Sequence, residues 1–366
     1  MKKTIIAASL TALAMGPAFA AINPHNEAMG KETTYDEKSD NQKGKLTGGW
    51  YYQEENVQEN TDLNHGSVST NITLTGGSFD ELIGGNHIKQ PTYKEGTHNV
   101  TIGDTKVTMT GGSVEYFIGG SKANNSDKTT LITGDVTAVI SGGSIGNQSS
   151  TSEYPVSAIG GSYVKSTGNK DYGIPALTNA ETGDISLSIS GGTFTGAVFG
   201  GSVADNYGKE QASDSSKPDL SITTGVSSLR IEGGTFQSSD PNNSKGYDFG
   251  VFGGSAALGQ KSSTKSSGSS VTIEAKKAID IKGRVVGGDL LGFGGSGKNA
   301  TSSTINGSTS VSITGSEKIE TSESVIGGSL LHLTLDGESS SSSISGTSSV
   351  IVNAAKAVLK DEVIGG

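Results

Sequence analysis

The chain has 366 residues, of which 55 are glycine, 32% are apolar and only 5% are aromatic, and its net charge is −10. Glycine at this level excludes a helical bundle, because each glycine inside a helix costs about 1 kcal/mol relative to alanine. The scarcity of aromatic side chains excludes a thick globular core. The acidic balance argues against nucleic-acid binding, which needs clustered lysine and arginine. Narrow, repetitive β structure is the class that remains.

The first twenty residues have the three regions of a Sec-type signal peptide. Lys2 and Lys3 carry positive charge, residues 4–15 are apolar, and Ala18-Phe19-Ala20 matches a small-residue cleavage site. The apolar stretch is too short for a transmembrane helix, which needs about 20 residues. We predict that residues 1–20 are a signal peptide, that the chain is exported, and that it has no transmembrane segment. Because the chain has no cysteine, its stability must come from burial and backbone pairing.

Residues 21–60 form a segment that does not fit the repeat described below. Charges of both signs fill residues 31–45, and the aromatic trio Trp50-Tyr51-Tyr52 follows. The open end of a stacked β structure exposes unpaired backbone, so a terminal cap is expected there. We interpret residues 21–60 as an N-terminal leader or cap, with the aromatic trio as the cap. A sugar-stacking platform and an unstructured leader stay open as alternatives.

From residue 61 to residue 366 a two-part unit recurs. Its first part is a strand in which apolar residues alternate with Thr or Ser before a Gly-Gly doublet. This alternation places the apolar side chains on one face and the hydroxyls on the other. Glycine allows the positive φ that a sharp corner requires. The apolar pairs are Ile72/Leu74, Val107/Met109, Leu187/Ile189 and Leu229/Ile231, and single apolar residues follow the doublets at Phe79, Val114, Ile145, Phe194 and Phe236.

The second part of the unit is two apolar residues followed by another Gly-Gly doublet. In the last three copies the first doublet is replaced but the apolar pattern persists, so packing defines the repeat more than glycine does. Successive second doublets begin 35, 41, 40, 53, 34, 40 and 38 residues apart. The eight apolar pairs are Leu82-Ile83, Phe117-Ile118, Ala158-Ile159, Val198-Phe199, Val251-Phe252, Val285-Val286, Val325-Ile326 and Val363-Ile364.

Polar stretches of variable length separate the copies, and we predict that they are surface loops. A constant core with variable excursions is typical of a solenoid. We therefore predict an all-β fold, a parallel β-solenoid of about eight repeats of about 40 residues. A β-propeller is one alternative, but a blade needs four strands and each copy offers two strands and a stub. Another β fold or a partly disordered chain is the second alternative. The polar stretches are residues 122–129, 165–182, 204–224, 259–270, 297–310 and 336–349.

The sequence contains several accidental matches to chemical motifs. Residues 292–297 fit a dinucleotide-binding pattern, but a polar loop follows where a helix is required. Residues 142–146 fit a nucleophile elbow, but they lie at a repeat corner. Asp80/Glu81 and Asp361/Glu362 are neighbours that face opposite sides of a strand. We predict no catalytic residue, cofactor or metal site, with surface or loop positions for the dispersed histidines His25, His65, His87, His98 and His332.

The signal, the absence of cysteine and the Gly/Ser/Thr-rich array make the chain resemble the passenger region of Gram-negative autotransporters. The array is represented by Val325-Ile326-Gly327-Gly328-Ser329, and the resemblance covers residues 61–366. It implies a right-handed parallel β-helix at the cell surface, on the outer membrane or released from the cell. The family also carries a C-terminal outer-membrane β-barrel, which this sequence lacks. We expect that the repeat domain is truncated inside its eighth copy.

The resemblance implies adhesion or self-association rather than catalysis. The expected partners are host or bacterial surface molecules, glycans included, or copies of the chain itself, with no nucleic acid. Stacked copies would add many weak contacts multivalently. A structural stalk or spacer is one alternative. A polysaccharide-processing enzyme is a weaker one, since it needs carboxylates and Arg or Lys in one groove and these are scattered along the sequence.

Overall fold

The computed structural model describes residues 32–35, 44–52, 63–89, 98–124, 129–146, 156–165, 178–206, 219–238, 249–259, 261–292, 301–332 and 340–365. Within these ranges the chain is all β, with no helix, and therefore no helix that could cross a bilayer. The predicted signal peptide and His25 lie outside the described residues. The all-β prediction is confirmed for the described part of the chain. Strands are numbered below in chain order.

The first sheet is built from the alternating Thr/Ser strands of the repeat. Residues one copy apart are neighbours in it, so that Val107 lies between Ile72 and Ala138. Fifteen described strands form this sheet. They are Glu32–Tyr35 (β1), Leu63–His65 (β4), Thr70–Leu74 (β5), His98–Ile102 (β8), Thr105–Met109 (β9), Thr129–Thr133 (β12), Val136–Ile140 (β13), Thr178–Thr182 (β17), Ile185–Ile189 (β18), Leu220–Ile231 (β22), Ser262–Ala275 (β26), Thr301–Ile305 (β30), Thr309–Gly315 (β31), Ser340–Ile344 (β35) and Ser348–Ala354 (β36).

The second sheet contains the apolar pair that precedes each second doublet. Another fifteen described strands form it. They are Lys45–Thr47 (β2), Ser78–Ile83 (β6), Ser113–Ile118 (β10), Ser144–Ile145 (β14), Val156–Ile159 (β15), Thr193–Thr195 (β19), Ala197–Phe199 (β20), Gly234–Gln237 (β23), Gly250–Phe252 (β24), Ile279–Ile281 (β27), Arg284–Val286 (β28), Ile319–Thr321 (β32), Val325–Ile326 (β33), Ala357–Leu359 (β37) and Val363–Ile364 (β38).

The third sheet follows the second doublets and has eight described strands. Its strands are short, because the chain leaves the sheet after two to four residues. They are Tyr51–Tyr52 (β3), His87–Lys89 (β7), Lys122–Asn124 (β11), Tyr163–Lys165 (β16), Val203–Asn206 (β21), Ala256–Gly259 (β25), Leu290–Gly292 (β29) and Leu330–His332 (β34).

Strand pairing is parallel and joins neighbouring copies of the repeat. In the second sheet, Phe117 lies beside Leu82 on one side and beside Ala158 on the other. In the third sheet, Lys122 lies between His87 and Tyr163. A propeller blade forms its sheet within one repeat. Pairing between copies is therefore consistent with the predicted β-solenoid and does not fit the propeller.

The aliphatic residues that define the earlier copies of the repeat form the core, as predicted, whereas Val363 and Ile364 of the last pair are exposed, so the prediction was wrong for them. Ile72, Val107, Leu187 and Leu229 are fully buried in a cluster between the first and second sheets. A second cluster joins the second and third sheets, and a third joins the third and first sheets. Inside these clusters, identical residues of neighbouring copies stack on each other. The ring centroids of Phe199 and Phe252, for example, are 4.9 Å apart.

The first and second doublets use glycine for different reasons. The second glycine of the first doublet has positive φ, at 82° in Gly77 and 81° in Gly112, as the predicted corner requires. The glycines of the second doublets between residues 84 and 365 lie outside that region. A Cβ on Gly119 would lie 2.1 Å from the carbonyl oxygen of Gly160, because the stacked backbones approach too closely for any side chain.

Most of the polar stretches that we predicted as loops contribute strands, so that prediction was wrong for their described parts. Residues 262–270 belong to β26, and β17, β30 and β35 also come from these stretches. The inward side chains there are small hydroxyls such as Thr264 and Ser266, which are buried. Threonine and serine fit a pleated surface, and buried hydroxyls can bond to facing groups, so a polar sequence forms a strand here.

The segment before residue 60 also pairs with the repeat. Lys45, Leu46 and Thr47 lie beside Glu81, Leu82 and Ile83 in the second sheet. Strand β3 pairs with β7, and Trp50 packs against the cluster between the third and first sheets. The described residues of this segment therefore extend all three sheets by one strand each, since β1 pairs with β5.

Candidate functional site

The second and third sheets meet at a corner formed by the second doublets. Neighbouring residues of a strand point to opposite faces. Thus Val198 packs toward the first sheet, whereas Phe199 packs against residues of the third sheet such as Val203. At the N-terminal end of the molecule this corner holds charged and aromatic side chains in place of aliphatic ones, and they form the main cluster of buried ionisable groups.

Glu81 and Lys122 are the centre of this cluster. The Lys122 Nζ lies 2.9 Å from the Glu81 Oε1, and the Lys45 Nζ lies 3.1 Å from the same oxygen. The side chains of Glu81 and Lys122 are only 8% and 4% exposed. Burial lowers the pKa of Lys122 to about 8, although Glu81 opposes the shift. Burial also raises the pKa of Glu81, but Lys122 and Lys45 outweigh it and hold that pKa below its ordinary value.

Two tyrosines enclose the Lys122 ammonium group. Its Nζ lies 5.2 Å from the ring centroid of Tyr116 and 5.3 Å from that of Tyr163, which is the range of cation–π contacts. The Tyr163 hydroxyl donates to the Asp205 Oδ2 at 2.7 Å, and Lys165 lies 3.3 Å from that oxygen. Burial and Asp205 raise the pKa of Tyr163 well above its ordinary value.

We call these seven side chains the Glu81–Lys122 network. Each of its two carboxylates is already paired with lysine, and its central atoms are excluded from solvent. Glycoside hydrolysis needs two carboxyl groups that flank an accessible bond. The network is therefore built as a charge-compensated, buried structure rather than as an open acid–base pair. Its members are Lys45, Glu81, Tyr116, Lys122, Tyr163, Lys165 and Asp205.

His87 corrects one sequence prediction. We expected surface or loop positions for the histidines, but His87 is fully buried, and its Nδ1 lies 3.9 Å from the Glu81 Oε2. His87, Lys122 and Tyr163 follow their doublets at the same position, two residues after the second glycine. An alignment of the copies by their doublets would have placed these residues in one row. That row is the signal that the sequence analysis missed.

A second polar feature runs through the interior, immediately after the second doublets. The backbone N–H of Ser121 donates to the Ser162 hydroxyl, and Ser162 does the same to Ser202. Asp289 occupies the equivalent position in a later copy. It is fully buried and accepts from the Ser255 N–H, from Thr264 and from Ser303. Burial raises the pKa of Asp289, and these three hydrogen bonds oppose the shift.

The outer face of the first sheet carries a row of hydroxyl side chains. Thr137 lies beside Ser186, Ser186 beside Ser228, and the row continues from there. These three residues are exposed, and the later members are half-buried. We call this row the hydroxyl row. It consists of Thr137, Ser186, Ser228, Ser270, Ser310 and Ser349.

The structure places the remaining sequence motifs as follows. Residues 142–146 lie at a corner, with positive φ at Gly143 and Gly146. Of residues 292–297, Gly292 ends β29 and the others lie outside the described residues. Asp80 is exposed while Glu81 is buried, so the two face opposite sides as predicted. The same prediction was wrong for Asp361 and Glu362, which are both exposed in the link between β37 and β38 and not in a strand. Among the described residues, no group of three or more His, Cys, Asp or Glu could hold a metal ion.

Comparisons of the chain with protein-family models, with curated proteins and with solved structures found no match.

Proposed function

We propose that this protein is an exported, non-enzymatic β-solenoid of the autotransporter-passenger type that acts in adhesion or self-association. The proposed solenoid is right-handed, with about eight repeats of about 40 residues. Its proposed partners are surface molecules of a host or of other bacteria, glycans included, or further copies of the chain. Its proposed location is the cell surface, the outer membrane or the extracellular space.

The observation that carries the proposal is the hydroxyl row on the first sheet. Parallel strands in register repeat the same outward side chain about every 4.8 Å. One hydroxyl forms a weak contact, but a row of six held on a rigid sheet binds multivalently to a repetitive partner. The enclosed lysine-paired carboxylates of the Glu81–Lys122 network favour binding over hydrolysis.

A charge introduced into the hydroxyl row tests the proposal. The variant combines Thr137→Lys, Ser228→Lys and Ser310→Lys. We expect it to weaken self-association, measured by sedimentation, and binding to bacterial or host cells, each several-fold. These positions lie two strands apart, so the new charges do not meet directly. Desolvating three ammonium groups in the contact opposes binding.

The matched control uses a row on the second sheet. This control variant carries Ser78→Lys, Ser144→Lys and Thr235→Lys. The three positions are exposed and also lie two strands apart. We expect this variant to keep the native binding. Equal loss of binding in both variants, or unchanged binding in both, would contradict a role for the hydroxyl row. A native chain that neither self-associates nor binds cells would favour the spacer alternative.

A further inference from the structure

The Glu81–Lys122 network connects successive copies of the repeat rather than two isolated residues. Lys45 of β2 binds Glu81 of β6, and Glu81 binds Lys122 of the next copy. Lys122 in turn lies against Tyr163 of the copy after that, and Tyr163 donates to Asp205 of β21. Five consecutive passages of the chain are therefore linked by contacts that depend on which copy follows which.

The isoleucine row beside the network cannot distinguish the first copies from one another. Ile83, Ile118 and Ile159 are identical residues in one row of the second sheet. Exchanging one of these copies for its neighbour leaves the side chain in this row unchanged, so the row does not detect a skipped copy.

Skipping one copy would break the network at its centre. If β16 stacked directly on β7, Tyr163 would meet His87, and Glu81 would lose its buried partner Lys122 and keep only the more exposed Lys45. A buried charge without its partner is strongly unfavourable, whereas a complete buried ion pair contributes little more than apolar packing would. The network thus penalises misalignment far more than it stabilises the native fold.

We propose that the Glu81–Lys122 network sets the order in which the first copies stack and excludes pairings in which a copy is skipped. It is a conformational device of the N-terminal half, since the equivalent third-sheet positions at Val203, Ala256 and Leu290 are aliphatic. This role does not depend on the proposed adhesive function.

Engineered cysteine pairs can report the stacking order, because the chain has no cysteine of its own. Thr137→Cys with Lys106→Cys joins neighbouring strands and reports the native order. Thr137→Cys with Asn71→Cys spans two strands, about 10 Å, and cannot close a disulfide unless one copy is skipped. Each pair is introduced into the full chain, which is refolded from urea at high dilution, oxidised, and examined by peptide mass spectrometry.

The test compares Glu81→Gln/Lys122→Met with a matched pair at the surface, Glu232→Gln/Lys276→Met, in which Lys276 is exposed and Glu232 half-buried. The control pair has a 2.8 Å ion contact and joins neighbouring copies on the surface. We expect the native chain and the control to form the Thr137–Lys106 disulfide alone. The network variant should form the Thr137–Asn71 disulfide at a level several-fold above the control. Equal cross-links in the network variant and the control would overturn the proposal.

A second variant is used if Glu81→Gln/Lys122→Met fails to refold, that is, if its circular dichroism does not return to that of β structure. Tyr163→Phe/Asp205→Asn removes the far link of the network and leaves the central pair intact. The pair Lys106→Cys with Ser186→Cys then reports a skip of the intervening copy. Increased cross-linking relative to the control supports the proposal, and the control level contradicts it.

Discussion

Lys122 shows how a buried charge is tolerated in a core that is otherwise aliphatic. Its ammonium group is compensated by Glu81 and enclosed by two tyrosine rings. Removing one partner of a buried ion pair leaves the other charge uncompensated, which costs about 3–5 kcal/mol. Lys45 also pairs with Glu81, whereas Glu81 is the carboxylate that compensates Lys122. We therefore expect Glu81→Gln to reduce the free energy of unfolding by about 3–5 kcal/mol in urea titrations.

Glu81→Gln/Lys122→Met is the control for this prediction. It replaces the whole pair with uncharged side chains, so it should cost much less than Glu81→Gln alone, because complete replacement of a buried pair is often neutral. A double variant as unstable as the single one would show that the loss comes from packing and not from the unpaired Lys122.

Buried Asp289 should make the stability of the fold depend on pH. The sign of this dependence is opposite to that of a salt-bridged carboxylate. Its pKa is raised in the folded state, so the folded protein binds more protons than the unfolded chain above pH about 4. The stability that it contributes is present at low pH and is lost as the pH rises. We expect Asp289→Asn to gain stability relative to the native chain between pH 3 and pH 7, measured as the shift in melting temperature.

Asp80→Asn is the matched control, because Asp80 is exposed on β6. It should leave the melting temperature nearly unchanged at both pH values. Asn in place of Asp289 can still accept from the Ser255 N–H, so the backbone contact is kept. A melting temperature for Asp289→Asn that falls relative to the native chain as pH rises would contradict the assignment.

The corners formed by the second doublets leave almost no space for a side chain. A Cβ on Gly119 would lie 2.1 Å from the Gly160 carbonyl oxygen and 2.8 Å from the Val136 side chain. Both obstacles belong to packed neighbouring strands and cannot move independently. We expect Gly119→Ala to lower the free energy of unfolding by about 3 kcal/mol, at the upper end of overpacking penalties.

Gly292→Ala is the control for crowding. A Cβ there would have Leu258 at 3.5 Å as its nearest neighbour, which is ordinary van der Waals contact. The variant should unfold at nearly the native urea concentration. Equal costs for the two substitutions would contradict the close approach of strands as the reason for glycine at position 119.

The elements that could be predicted are those whose pattern is visible within one copy. Ile72 and Leu74 alternate with threonine, so their burial was predictable, and they are buried. The strands of the third sheet are too short to show a period. In Lys122–Asn124, for example, the two buried residues, Lys122 and Ala123, are adjacent rather than alternate. The position of this strand is set by pairing with β7 and β16, which depends on residues of other copies.

Dependence on other copies also explains why the Glu81–Lys122 network could not be predicted from the sequence. Glu81 and Asp205 are far apart in sequence, and only the stacking of copies brings their lysine partners to them. Sequence reasoning considered these carboxylates scattered because it examined each copy along the chain and not across copies. The repeat itself was predictable, whereas the contacts between unlike residues of neighbouring copies required the register.

For the whole molecule, parallel stacking in register is the claim on which the core, the hydroxyl row and the network depend. Every one of these features is a row of residues one copy apart. Successive strands are separated by about 4.8 Å, so distances along a row should increase in proportion to the number of strands crossed.

Electron–electron distance measurements between spin labels test this claim most directly. Labels on Lys106 and Ser270, on Lys106 and Ser310, and on Lys106 and Ser349 cross four, five and six strand steps. The predicted backbone separations are about 19, 24 and 29 Å, a constant increment for each strand. Separations that do not increase in this order, or that do not grow by equal steps, would contradict the stacked parallel fold.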